Sequence, residues 1–460
     1  MDLLTALRID SLSANLCIAL VGAGGKSTLL FRLGSELAAT GRQTLLSTTT
    51  KIWTHQMDQA PFAVINTSEA LLAGKLPAAL RGHRQALALA GPSSEAGKMQ
   101  GLSPETVCRL AALSDVHAVV VEADGSRERP LKAPAEHEPV IPSCATHVIN
   151  VIGMGVLGKP LNSDWVHRPE RAAQLTGLRL DEPITSEALA RLAAQPAGGL
   201  KGHPPGAQSL LYLNLKGSDA PATLDAARQI ARAVLSQPTA SEQTYRAVLI
   251  GSAAADQPVV EVHGRVAGVV LAAGRGSRLS GDLPKQLLPW DNGDTLVSYA
   301  VKTALASPLL HNVLVVTGYR RDDIAAAVAG KPVQIVANPA WASGQSGSVR
   351  AAVDSLAPEM TAAVFLLADQ PTVVTDTIDS LVEAHQRSLA PVVAPLYRGG
   401  RRGNPVLFDR AAFAKLAALT GDVGGRALLD SYGDRVQHIP IDQPQPQGIE
   451  TWDDYRQTMG

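Results

Sequence analysis

The chain has 460 residues, is 45% apolar and 18% charged, and carries a formal net charge of −1. At roughly 100–200 residues per domain, that length allows two or three folded domains, and the composition excludes a disordered polar chain. The near-neutral balance excludes a generally basic surface of the kind that draws a whole chain onto nucleic acid or anionic lipid.

The first apolar run, Leu16 to Val21, is six residues long, ends in glycines and has no basic stretch before it. It is too short for a signal segment or a membrane span, so a buried strand is predicted, with no membrane partner. Next comes VGAGGKSTLL, Val21 to Leu30. This strand-to-helix turn has the chemistry of a P-loop. Backbone N–H groups around Gly22, Gly24 and Gly25 would cradle phosphate oxygens, Lys26 would reach the β- and γ-phosphates, Ser27 would bind a magnesium ion, and Thr28 follows as a further nucleotide-binding candidate. A strict GxxxxGK[ST] needs glycine at position 20, where this chain has Leu20. Leu29, Leu30, Leu33 and Leu37 recur at helical spacing and predict the helix that follows.

Further buried strands are predicted at Thr44–Leu46, Ala118–Val121, His147–Val151, Leu210–Leu213 and Ala247–Ile250. Such apolar strands separated by helical patterns predict a parallel sheet covered on both faces. STTTKIW follows one strand and offers Thr49 and Lys51 as phosphate or metal contacts. The strand Ala118–Val121 delivers Glu122 and Asp124, placed as a Walker-B-type carboxylate would be, before a polar loop with Arg127, Lys132, His137 and Glu138. Asn214, Lys216 and Asp219 do not reproduce the spacing of a guanine-reading NKxD, so ATP and GTP both stay open. The three cysteines, Cys17, Cys108 and Cys144, lie far apart and form no CxxC pair. Neither a disulfide framework nor a zinc site is expected, and a reducing cytoplasm is the expected compartment.

A second strand and glycine turn, VAGVVLAAGRGSRL, starts at Val266. The expected fold class is therefore α/β, with two tandem three-layer domains: residues 1–262, P-loop-like, and residues 263–460, Rossmann-like. In the second, strands are predicted at Gly268–Leu271, Val313–Val316, Val333–Val336, Ala363–Leu367 and Val392–Ala394. Helices are predicted at Leu296–Ala306, Arg321–Val328, Ser346–Leu356, Thr377–Arg387 and Gly425–Tyr432. The turn Leu271, Ala272, Ala273, Gly274, Arg275, Gly276 lets backbone approach a triphosphate, while Arg275, Arg278 and Lys285 supply positive charge. Asp369 stands at the end of the strand Ala363–Leu367, where a carboxylate can hold Mg²⁺ against that triphosphate. Gln345, Ser346 and Ser348 precede or open a helix, where short polar residues can simply cap it.

The stretch LAAGRGSRLSGDLPKQLLP, with FLLADQP and WASGQSGSVRAAV, resembles the MobA-like nucleotidyltransferase superfamily. The LAAG opening is similar to its cytidylyltransferase members. The resemblance implies Lys285 as catalytic lysine, Arg278 beside it, Asp369 as metal ligand, and Gln345 and Ser348 at the base. RGNPVLFDR and GDVGGRALL resemble the cofactor-side motifs of the molybdopterin branch, with Asn404 standing for the usual His and with Asp422 and Arg426 matching. GIETWDDY resembles that family's closing motif and makes Glu450 a candidate second metal ligand. The activity this resemblance implies is CMP transfer from CTP to molybdopterin with release of pyrophosphate. A guanylyltransferase, transfer to another phosphorylated acceptor, and a non-catalytic cofactor chaperone remain as alternatives.

Over residues 1–262, GAGGKST, TTTK and EADGSRERPLKAPAEHEP resemble the YqeC family of accessory proteins for selenium-dependent molybdenum hydroxylases. The partners implied are a nucleotide, molybdopterin, and a molybdenum hydroxylase or its chaperone.

Overall fold

A computed structural model describes residues 1–9, 15–216, 220–237, 243–276, 279, 283–421 and 425–459. The chain divides into two compact units, Met1–His263 and Gly264–Gly460.

In the first unit the apolar runs become strands β1 (Leu16–Ala23), β2 (Thr44–Thr48), β3 (Ala63–Ile65), β4 (Gln85–Leu89), β5 (Ala118–Glu122), β6 (His147–Gly153), β7 (Gln208–Asn214) and β8 (Tyr245–Gly251). They form one sheet in the order β3-β4-β2-β5-β1-β6-β7-β8, every neighbouring pair parallel. Parallel pairing requires crossovers, and the helices supply them on both faces. Cys17, Ala19 and Val21 of β1 pack with Leu72, Leu76 and Leu80 of the helix Glu69–His83. Ile18 and Leu20 point the other way. There Ile18 is in register with Val120, and Val120 with Leu46. The helix Lys26–Ala39 covers that face so closely that a Cβ on Gly34 would fall 2.7 Å from Leu46 Cδ2. Leu29, Leu30, Leu33 and Leu37 are fully buried, as their spacing predicts. The helices after β6, Pro169–Thr176 and Ser186–Ala194, belong instead to a cluster with Ile152, Leu211 and Leu213 on the opposite face from the helix Lys26–Ala39.

One expectation is corrected. Cys108 and Cys144 are joined in a disulfide, 36 residues apart in sequence, and Cys17 is a buried free thiol beside Cys144. Spacing alone gave no sign of this, because the helix Pro104–Ala111 and the lead into β6 meet only through the folded sheet.

In the second unit the strands are β9 (Glu261–Ala272, counted from residue 264), β10 (Asn312–Thr317), β11 (Gln334–Ala337), β12 (Met360–Leu367), β13 (Val392–Tyr397), β14 (Val406–Asp409) and β15 (Val436–Pro440). Their order is β11-β10-β9-β12-β14-β13-β15. The pairs β11/β10, β10/β9, β9/β12 and β13/β15 are parallel, but β14 runs antiparallel to both β12 and β13. The sheet is therefore mixed. Val266, Val270 and Ala272 pack with Val297 and Val301 of the helix Leu296–Leu305 and with Ile378 and Leu381 of the helix Thr375–Ser388. Ala267 and Val269 face the other layer, with Val349 and Ala352 of the helix Gln345–Ser355. This period-two split of one strand between two helical layers makes three layers.

Candidate functional site

Each unit places a glycine loop at the carboxyl end of its central strand, the usual ligand edge of an α/β sheet. In the first unit the loop runs from β1 into the helix Lys26–Ala39. Gly24 has φ +87°, and a Cβ there would lie 2.6 Å from the Cα of Gly153, so only glycine fits. Gly25 is the N-cap of the helix and makes no side-chain cap bond. Lys26 is 3% exposed. Its Nζ donates to the Gly22 carbonyl at 2.6 Å and sits 2.8 Å from Asp124 Oδ1 and 3.6 Å from Glu122 Oε1. Burial works to lower its pKa, but the charges of Asp124 and Glu122 prevail and raise it. Burial pushes the Glu122 carboxyl up. Ser27 Oγ donates to Glu122 Oε2 at 3.0 Å, and Gly22 N donates to Asp124 Oδ2 at 3.0 Å. Gly22, Lys26, Ser27, Glu122 and Asp124, widely separated in sequence, are thus one bonded set.

Other expected contacts fall elsewhere. Thr49 donates its hydroxyl to the Val140 carbonyl at 2.8 Å, Thr28 is exposed, and Lys51 is paired with Glu95. Two residues outside the expected set join this bonded network. Asn214, the last residue of β7, donates from Nδ2 to the Gly24 carbonyl at 2.6 Å and accepts from Ala253 N at 3.1 Å, so it braces the loop. Lys132, 1% exposed at its side chain, bridges Asp124 Oδ2 and Glu138 Oε2, both at 2.9 Å. Asn214's place at a strand's carboxyl end was a usable signal; Lys132 had only its nearness to Asp124 in sequence.

In the second unit the loop carbonyls are clamped. Ala368 N donates to Leu271 O at 3.2 Å, Tyr319 N to Ala273 O at 3.0 Å, and Gln286 Nε2 to Gly274 O at 2.9 Å. Gly274 and Arg275 are exposed, and Ala272 and Ala273 are buried. Gly276 has φ +67° and a Cβ there would lie 2.9 Å from Lys285 Cγ. The Arg275 guanidinium lies over the Tyr319 ring, 5.4 Å from its centroid. Lys285 Nζ forms an ion pair with Asp369 Oδ2; the two side chains are 15% and 16% exposed. β9 and β12 are parallel neighbours, and this is what brings Asp369 to the glycine loop.

The Asp369 carbonyl accepts from Ile449 N at 3.0 Å, so the segment carrying Glu450 passes this centre. Glu450 itself is exposed, its N–H bonded to Asp454 Oδ2 at 3.1 Å. Asn404 Nδ2 donates to Gln370 Oε1 at 3.2 Å, which puts it beside the residue that follows Asp369. Ser346 and Ser348 are buried and held inside the protein: Ser346 Oγ donates to Gly421 O at 2.6 Å, and Ser348 Oγ accepts from Asn338 Nδ2 at 3.0 Å. Gln345, half-buried, opens the helix Gln345–Ser355. Arg278 and Asp422 lie outside the described residues, as does the side chain of Arg426.

These features define a two-unit α/β protein with a glycine loop at the carboxyl end of the central strand in each unit and, in the second, a lysine–carboxylate pair at the loop. A family model for the YqeC protein matches residues 18–170, and one for the MobA-like NTP transferase domain matches residues 268–436. The uncharacterized protein YqeC of Escherichia coli K12 is 36% identical over 197 residues, 43% of this chain and 75% of that protein. Nicotine blue oxidoreductase of Paenarthrobacter nicotinovorans is 36% identical over 169 residues, 36% of this chain and 81% of that protein; the redox name is that relative's own. The solved homologue of Mycobacterium tuberculosis Rv0371c from Mycobacterium sp. strain JC1 is 33% identical, with a TM-score of 0.39, and covers 43% of this chain and 96% of that one. The chain belongs to the YqeC family in its N-terminal part and to the MobA-like NTP transferase family in its C-terminal part.

Proposed function

We propose that the nucleotidyltransferase unit transfers CMP from CTP to the phosphate of molybdopterin, and that the YqeC unit binds ATP or GTP in a P-loop and serves maturation of a cytoplasmic molybdenum hydroxylase. The observation that carries the first part is the pairing of Lys285 with Asp369 beside an exposed glycine loop.

Asp369 offers hard carboxylate oxygens, which suit Mg²⁺. Among the described residues no three His, Cys, Asp or Glu side chains converge as a cage. Asp369 would hold a magnesium ion here jointly with the phosphates of the nucleotide, the common pattern for this ion. Bound, it supplies charge neutralisation on the triphosphate. The chain's own residues do the rest. The loop N–H groups from Gly274 to Gly276 bind phosphate oxygens. Lys285 leaves Asp369 for the triphosphate and stabilises charge as a phosphate oxygen of the acceptor attacks the α-phosphorus and pyrophosphate departs. Asn404 and Gln370 orient the acceptor, a role Asp422 and Arg426 share. The LAAG opening and the LADQP setting of Asp369 favour CTP over GTP and molybdopterin over a methylerythritol phosphate.

The test is transfer from radiolabelled CTP or GTP to molybdenum-loaded molybdopterin by the full chain with Mg²⁺. A labelled dinucleotide from CTP is expected. Product from GTP alone would replace the cytidylyl reading with the guanylyl one.

A further inference from the structure

In the nucleotidyltransferase unit three neighbouring parallel strands stop at one level. Ala272 of β9 is in register with Thr317 of β10, and Thr317 with Ala337 of β11. The loops that follow them leave the sheet side by side at its ligand edge. The first carries Arg275, the second Tyr319 and the third Trp341. Backbone bonds tie the loops together: Tyr319 N donates to Ala273 O at 3.0 Å, and Asn338 N to Thr317 O at 2.8 Å. Gly318 permits this close approach. A Cβ there would fall 2.4 Å from Trp341 Cβ and 2.7 Å from the Ala273 carbonyl oxygen.

The side chains stack in the same order. The Trp341 and Tyr319 ring centroids are 5.3 Å apart, with the rings tilted by 58°. The Arg275 guanidinium lies over the other ring, 5.4 Å from the Tyr319 centroid and within cation–π range. Both rings are half-buried and Arg275 is exposed, so the rings are the support and the guanidinium faces solvent at the loop. Nearby cations are neutralised: Lys285 pairs with Asp369, and Arg320 with Asp323. Arg275 forms no ion pair among the described residues. An aromatic ring attracts a cation through its quadrupole and leaves the net charge in place, whereas a carboxylate would cancel it. Arg275 is thereby oriented and still fully charged beside the exposed Gly274.

We propose that Tyr319, backed by Trp341, is a positioning residue that holds the Arg275 guanidinium at the glycine loop, ready for a phosphate of the incoming triphosphate. The inference rests on the reading of this loop as a triphosphate site. It gives the two cations different tasks. Lys285 has to leave Asp369 before it meets phosphate; Arg275 breaks no ion pair and serves capture of the triphosphate.

A double-mutant cycle on the full chain tests this, with calorimetric titration of CTP and, separately, of inorganic tripolyphosphate, each with Mg²⁺. Tyr319→Leu is expected to weaken binding of both about three- to fivefold, the size of one exposed cation–π contact. Tyr319→Phe keeps the ring and should stay within about 1.5-fold of the parent chain. In an Arg275→Gln background the Tyr319→Leu change should cost less than about 1.5-fold, because the group it positions is gone. Equal losses with and without the Arg275 guanidinium would make Tyr319 a structural residue only and overturn the proposal, as would parent-like binding by Tyr319→Leu. Binding of tripolyphosphate without CTP would sink the cytidylyl reading and leave the cycle readable. A parent chain that binds neither overturns both.

Discussion

At the scale of single residues, the proposed chemistry rests on how each glycine loop meets its neighbouring carboxylate. Lys285 and Asp369 neutralise one another at the C-terminal loop. Removing either leaves the other's charge without its partner at a half-buried site. Asp369→Asn and Lys285→Ala are each expected to lower the rate of nucleotidyl transfer by about 100-fold or more, with CTP binding less affected than kcat. Single-turnover kinetics reads this, and a variant within about twofold of the parent chain would remove that residue from the centre. Near the other loop, Glu138 has a side chain that is 11% exposed. Burial pushes its carboxyl up, but Arg168 and Lys132 pull it further down, to about 2 against an ordinary 4.5. A depressed carboxylate stabilises the fold fully above its unfolded pKa and loses that contribution as pH falls through the folded value. The melting temperature should therefore fall between about pH 4.5 and pH 2, and Glu138→Gln should flatten that limb. An identical acid limb in the variant would show that the Lys132–Glu138–Arg168 chain does not hold this loop.

At the scale of elements, the strands position what the loops use. β7 ends on Asn214, whose amide holds the Gly24 carbonyl. Asn214→Ala removes that bond and leaves a part-buried carbonyl unpaired, at a cost of about 1–3 kcal/mol. Nucleotide binding by the N-terminal unit should weaken by about tenfold while the C-terminal transfer rate stays unchanged. Fluorescent-nucleotide titration measures the first and pyrophosphate release the second; equal nucleotide affinity in the variant would dismiss the brace. The same division between strand and loop decides how much the sequence reveals. Leu16–Ala23, Ala118–Glu122 and Met360–Leu367 are continuous apolar runs buried on both faces, so their strands, and the polar residues at their ends, were visible in sequence. β3 and β4 were not, because Gln85-Ala-Leu-Ala-Leu lacks β-branched residues and Ala63–Ile65 is only a three-residue edge. β14 escaped because Pro405 precedes it and its antiparallel pairing follows no alternation of strand and helix.

Over the whole molecule, two units each repeat one plan: a central strand, a glycine loop at its carboxyl end, and a carboxylate delivered by the neighbouring strand. That plan was legible because it is local at each of its pieces. The contacts that complete it were not. Cys108 meets Cys144, Asn214 meets Gly24 and Ser348 meets Asn338 only once the sheets are assembled. Ser348 shows the limit most clearly. Its place beside a helix start fits a base-reading group as well as a buried structural hydroxyl, and only packing separates the two.

The proposed transfer depends above all on one metal-bound triphosphate being held jointly by the loop from Leu271 to Gly276, by Lys285 and by Asp369. A crystal structure of the full chain with a non-hydrolysable CTP analogue and Mg²⁺ measures this directly. The ion is expected about 2.1 Å from an Asp369 carboxylate oxygen, with the phosphates on the loop N–H groups and Lys285 moved from Asp369 to the triphosphate. A triphosphate bound away from the loop, or an ion with no ligand from Asp369, would contradict it.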